Sequence, residues 1–188
     1  MRHLKSLSLC TLLGLLGAWQ AQSQEIDYDE KRAAVLRKCD EPLYHGRVEE
    51  ARNCYRPLLR AADPLVRAEA SWASGDLRSA NDLFREAVNA APRDAKPRVR
   101  WGRMFLAAGQ YNDAAKLFDE AMQIDKRDWG AMLAQTRMMA ERFDGEVGEQ
   151  LASILAEQPN QIEPHLVAAS VAIERGDLEA ASREAQKA

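Results

Sequence analysis

Beyond about residue 29 the apolar residues of this chain return at the three- and four-residue intervals of a helix, and many of them are small. Ala80, Phe84 and Ala87 stand at i, i+4 and i+7 and so share one helical face, while Asn81, Asp82, Arg85 and Glu86 fall away from it. Ala114, Phe118 and Ala121 repeat the arrangement 34 residues later, and the whole stretch Gly75–Ala87 aligns without gaps on Gly109–Ala121. Looser copies run from Gly46 to Ala51 and from Gly176 to Ala181. Phe143-Asp144-Gly145 occupies the turn expected between them but lacks the small residues. A fixed period of this length predicts stacked helical hairpins.

Each repeated position has a physical task. Gly75, Gly109 and Gly176 can take positive φ and end the first helix (A) of a hairpin. Asp76 and Asp177 can then cap the second helix (B) by accepting its free N–H groups. The next side chain, Leu77, Tyr111 or Leu178, is expected to dock the turn onto the core. Ala80 and Ala114 are small where A crosses B, Phe84 and Phe118 fill the wedge one turn on, and Ala87 and Ala121 let the following hairpin approach. Asp63-Pro64 reads as an N-cap followed by a first-turn proline that opens a new A helix. Five hairpins are predicted, at about 29–60, 64–92, 95–126, 129–158 and 162–188. The fourth is degenerate, with Gly148 and Ala152 straddling the small position. The B helix begun at Leu178 runs to Ala188 with no polar capping helix after it, which predicts a segment of a longer protein.

These residues resemble the tetratricopeptide repeat (TPR) family. Trp101-Gly102 and Phe105 match its helix A, Ala114, Phe118 and Ala121 match its helix B, and Pro92 matches its closing proline, where the next repeat has Lys126. Ala181 stands at the small helix B position of the last hairpin. The resemblance covers roughly residues 29–188 and implies an all-α fold: a right-handed superhelical array of antiparallel hairpins, a TPR-like α-solenoid that binds protein or peptide. Its chaperone-tail clamp of Lys, Asn and Arg is not reproduced. Arg98-Val99-Arg100-Trp101-Gly102, Phe143-Asp144-Gly145, Glu163-Pro164-His165-Leu166 and Ala185-Gln186-Lys187-Ala188 are in addition similar to exported bacterial TPR proteins with a zinc-peptidase-like domain further on. That resemblance implies an alternative role as the recognition segment of such a peptidase, with its catalytic domain beyond residue 188.

The N-terminus has a different pattern. Met1-Arg2-His3-Leu4-Lys5 is basic, and an apolar stretch follows from about Leu7 to Ala18. That stretch is too short to span a bilayer as a helix. It fits a secretory signal over residues 1–23, with Ala21 and Ser23 offering a cleavage site before Gln24 and residues 24–188 forming the repeat domain. An uncleaved anchor is the competing reading, which Trp19 and the glutamines weaken. Cys10 lies inside the apolar stretch rather than after it, which argues against a lipid-modified cysteine. The expected location is periplasmic or secreted, with no integral membrane span after cleavage. In that oxidising setting Cys39 and Cys54 can pair as a disulfide; as thiols they would pack as small hydrophobes.

Composition narrows the chemistry. Aromatic residues are 6% of the chain and charged residues 29%, which suits small-residue helix packing. The net charge of -3 becomes more negative once Arg2 and Lys5 leave, which argues against nucleic-acid binding despite the run Arg98–Arg103. There is no HExxH pair, CxxC, phosphate loop or nucleophile elbow, so the sequence predicts no enzyme, metal site or cofactor in these 188 residues. His45 sits in a turn before Gly46, and His165 follows Pro164 at a helix start. The glycine register puts Arg103 and Arg137 at one groove-facing position in successive repeats, with Lys96, Val99, Leu106 and Leu133 near them. Such arginines can fork onto a partner's carboxylate. They can equally be solvated or paired with neighbours such as Glu141. Trp72 and Trp101 read as core residues.

Overall fold

The structure, a computed structural model, describes residues 30–141 and 147–188; the signal assigned to 1–23 and the turn at Phe143-Asp144-Gly145 lie outside them. The described residues contain helices and no strands. Helix α1 (residues 30–44) pairs with α2 (Val48–Tyr55), α3 (Pro64–Ala73) with α4 (Leu77–Ala90), and α5 (Lys96–Ala107) with α6 (Tyr111–Ile124). Helix α7 (Trp129–Glu141) pairs with α8 (Val147–Glu157), and α9 (Ile162–Glu174) with α10 (Leu178–Ala185). The A helices are therefore α1, α3, α5, α7 and α9. This is the all-α hairpin array expected from the sequence.

Four hairpin turns are built alike. Gly46, Gly75, Gly109 and Gly176 all take positive φ, between +70° and +87°. At Gly75 the glycine N–H donates to Trp72 O, and the N–H of the next residue, Asp76, donates to Ser71 O. Gln110 to Phe105, Asp177 to Ala172 and Arg47 to Pro42 repeat the longer bond at 2.8–2.9 Å. This double closure satisfies the last carbonyls of helix A. Asp76 and Asp177 then accept from Ser79 N and Ala180 N, and Asp63 accepts from Leu65 N, so all three caps form as expected.

One detail of the turn is corrected. Leu77, Tyr111 and Leu178 do not dock onto the core; they are exposed, Leu178 to 70%. Each is the first residue of its B helix, where Cβ leans back toward the helix start and past the end of the hairpin. A second detail concerns α2, which gives way after Tyr55 to a 3₁₀ turn, Arg56–Arg60. Pro57 in that turn has no N–H to give to an α-helical bond.

Between A and B the small-and-aromatic pattern forms the core. Ala80, Phe84, Ala114, Phe118 and Ala121 are fully buried, and Ala87 nearly so. Gly102 is explained by Phe118, because a Cβ there would lie 2.4 Å from the ring's Cε1. Trp101 sits beside this core, stacked on Phe105 with ring centres 5.8 Å apart, and its Nε1–H donates to Asn81 Oδ1. In the first hairpin a disulfide joins Cys39 of α1 to Cys54 of α2, with Cα atoms 5.4 Å apart.

Polar clamps tie three of the linkers to their hairpins. Arg67, in the first turn of α3, donates to Ala61 O and Ala62 O and ion-pairs with Glu86 of α4. Arg98 in α5 does the same with Pro92 O, Asp94 O and Glu120 of α6. His165 in α9 is the third case: Nε2 lies 2.9 Å from Pro159 O and Nδ1 2.6 Å from Glu184 Oε2 of α10. Arg67 and His165 reach the same offsets, six residues back and nineteen ahead.

Candidate functional site: the concave face of the A helices

Successive A helices from α3 onward touch one another, so their free faces form a continuous surface. Its centre is built by α5. Arg100 and Arg103 are three residues apart, hence on one face of that helix. Arg100 reaches in one direction: Nη1 donates to Asp40 Oδ2 of α1 at 2.8 Å, and Nε to Glu69 Oε1 of α3 at 2.5 Å. Arg103 reaches in the other, ion-pairing with Glu163 of α9 at 2.6 Å. A helix in the middle of an array can touch α1 and α9 together only where the array curves toward itself. These residues therefore mark the concave side.

The cluster is unusually dry for a groove. Glu69 is 3% exposed, and only 15% of the Glu163 side chain and 23% of the Arg103 side chain reach solvent. Burial alone would lower the pKa of Arg100, but Glu69 and then Asp40 overcome it and hold the guanidinium well above its ordinary value. Burial likewise opposes the charge on Arg103 and is the largest single influence, but Glu163, Tyr44 and Asp40 together hold the guanidinium above its ordinary value. Tyr55 donates from its hydroxyl to Asp40 Oδ1 at 2.7 Å, and burial, then Glu69 and Asp40, push its pKa up, so it stays a donor. Tyr44, near the end of α1, has its pKa raised first by burial and next by Glu163, which places α1 and α9 within electrostatic reach of each other. Arg100 Nη2 is buried without a hydrogen-bond partner.

The residues named from sequence divide between face and core. Arg103 lies in the concave cluster, with a carboxylate already on it. Lys96 and Arg137 are exposed on α5 and α7. Val99, Leu106 and Leu133 are buried in the core and offer nothing to a partner. Val99 and Leu106 occupy the flank of α5 that α7 covers, packing with Ala131, Ala134 and Met138. Trp72 and Trp101 are half-buried against the first core cluster. Sequence reading missed Asp40, Glu69 and Glu163, and took Arg100 only as part of a basic run. The available signal was a carboxylate set among small apolar residues: Glu69 between Ala68 and Ala70, both buried. The basic run itself is engaged by acids: Arg98 by Glu120, Arg100 by Glu69 and Asp40, Arg103 by Glu163. Among the described residues no group of three or more His, Cys, Asp or Glu could hold a metal ion, and no helix is long and apolar enough to cross a membrane.

The geometry defines an all-α solenoid of TPR-like helical hairpins. No protein-family model matches the chain, and no curated protein matches it in sequence. Solved structures do. TTC0263, a thermophilic TPR protein of Thermus thermophilus, is 17% identical with a TM-score of 0.62, over 81% of this chain and 87% of that one. PilW, described as a type IV pilus biogenesis factor, is 20% identical with a TM-score of 0.56, over 82% of this chain and 74% of its own. A tetratricopeptide repeat protein of Parabacteroides merdae is 16% identical with a TM-score of 0.58, over 82% of this chain and 63% of its own. Identities this low fix the fold and nothing finer.

Proposed function

We propose that this chain is an exported, non-catalytic protein-binding scaffold of the bacterial cell envelope, taking its partner on the concave face of the A helices. The observation that carries the reading is the convergence of charged side chains from α1, α3, α5 and α9 on one curved face, with Arg103 in a position to bind a carboxylate. Export is supported by the basic start and short apolar stretch before Ala18, and by a disulfide that suits an oxidising compartment.

The test is site-specific photo-crosslinking in living cells. A crosslinker at Arg137 or Lys96, exposed on A helices, should trap a discrete partner, and one at Lys116 or Asp119, exposed on α6, should not. Equal trapping from both sets would move the binding surface off the concave face. N-terminal sequencing of the periplasmic fraction should begin at or near Gln24; an intact Met1 in membranes would replace export of a soluble form with anchoring.

A further inference from the structure

The Arg103–Glu163 pair joins residues 60 apart in sequence, on helices separated by α7, which contacts both. Neither side chain belongs to the small-and-aromatic core, and neither is needed to close a hairpin. Glu163 stands in the first turn of α9, and Tyr44 from the opposite end of the array is within electrostatic reach of both. Three A helices that would diverge in an open superhelix are thus drawn together over the face that would receive a partner. The carboxylate of Glu163 holds the Arg103 Nη2 that a partner's carboxylate would otherwise take.

We infer that Arg103 and Glu163 form a latch that closes the concave face, an intramolecular competitor that a partner must displace before it can bind. This rests on the concave-face reading above and adds its regulation. A solenoid held only by neighbour contacts is free to flex between open and closed curvature. Breaking a charged pair that is mostly shielded from water leaves an uncompensated charge, whereas exchanging one carboxylate for another keeps Arg103 paired throughout. Those are the properties of a gate rather than of a structural bolt.

The test reads closure without any partner. Phenylglyoxal labelling of the full chain, followed by mass spectrometry, reports the accessibility of each arginine. Arg103 should label slowly in the wild type and several-fold faster in Glu163→Ala, while exposed Arg37 labels equally in both. Hydrogen exchange over the first turn of α9 should speed up in the same variant. If Glu163→Ala loses helical signal, the exchanged pair Arg103→Glu with Glu163→Arg replaces it, and slow exchange in α9 should return. The latch is refuted if Arg103 labels rapidly in the wild type, if Glu163→Ala leaves it protected, or if the exchanged pair fails to restore slow exchange. Because no partner enters these measurements, a failed crosslinking experiment would overturn the scaffold reading, and with it displacement by a partner, while the closure of the face would stand; rapid labelling of Arg103 would overturn the latch and leave the scaffold reading intact.

Discussion

The hairpins α5/α6 and α7/α8 lie side by side, and they hold the same shape with different chemistry. In the first, Arg98 ion-pairs with Glu120, and Gly102 and Ala114 leave room for the ring of Phe118. Thirty-four residues on, the counterpart of Arg98 is Met132, while the buried Val147, Leu151 and Ile154 of α8 stand thirty-three residues after Ala114, Phe118 and Ala121, which makes the exposed Ser153 the counterpart of Glu120. Where one hairpin has an arginine clamped to an acid, the next has an apolar side chain packed against its core. The buried Thr136 satisfies its hydroxyl by donating to Met132 O, one turn back on its own helix. The geometry of the repeat, more than any particular residue, is what the two hairpins share.

The comparison can be broken most severely at Phe118. Phe118→Ala should cost about 3–5 kcal/mol in denaturant unfolding, since a fully buried ring leaves a cavity. A loss below about 1 kcal/mol would mean that α5 and α6 do not depend on the wedge. Next, Ala114→Leu should destabilise by about 1–3 kcal/mol through overpacking. Ala152→Leu, at the degenerate and exposed position of α8, should change stability by no more than about 0.5 kcal/mol. Equal effects would erase the distinction between the hairpins. A smaller effect is expected when the apolar residue of α7 is carried over to α5. Arg98→Met should cost about 1 kcal/mol, and Glu120→Gln, which leaves the guanidinium on the linker carbonyls, should cost less. Equal losses would assign the contribution of Arg98 to its ion pair with Glu120 rather than to the carbonyls of Pro92 and Asp94.

The smallest expected effect is a pH dependence in the last hairpin. Glu184 of α10 has its pKa lowered, first by the hydrogen bond from Lys187 and then, against burial, by that from His165. A carboxyl depressed in the folded state adds stability above its ordinary range and loses it as pH falls through the folded value. Glu184→Gln should therefore melt lower than wild type at about pH 7, and the two curves should converge below about pH 4. A gap that persists in acid would assign the effect to packing.

Much of this was legible because local rules set it. A positive-φ turn calls for glycine, a free helix start for Asp, and a close helix crossing for Ala, and each such residue announces its task within a few positions of the chain. Gly75, Asp76, Asp63 and Ala80 could be assigned on that basis. Leu77, Tyr111 and Leu178 misled because an apolar residue beside a turn looks like an anchor, whereas its direction depends on where the B helix begins. The concave cluster was hidden for a deeper reason. Asp40, Glu69, Arg100 and Glu163 lie on four helices, and nothing in their spacing reveals that curvature brings them together. Val99 and Leu106 were assigned to the right helix and the wrong flank, because the packing of α7 against α5 decides which side is covered.

The bonds from α5 to both ends of the array alter how such a protein should come apart. A stack of hairpins linked only to immediate neighbours unfolds like a row of weakly coupled units, fraying from an end and passing through partly melted forms. Arg100 ties the third hairpin to the first two, and Arg103 ties it to the fifth. Loss of either end then removes a partner from the middle, so the cost of fraying is shared across the chain. Five units joined in this way should melt as nearly one, with calorimetric and van't Hoff enthalpies close to equal, and cutting the Arg100 links to the first two hairpins should spread that single transition into two.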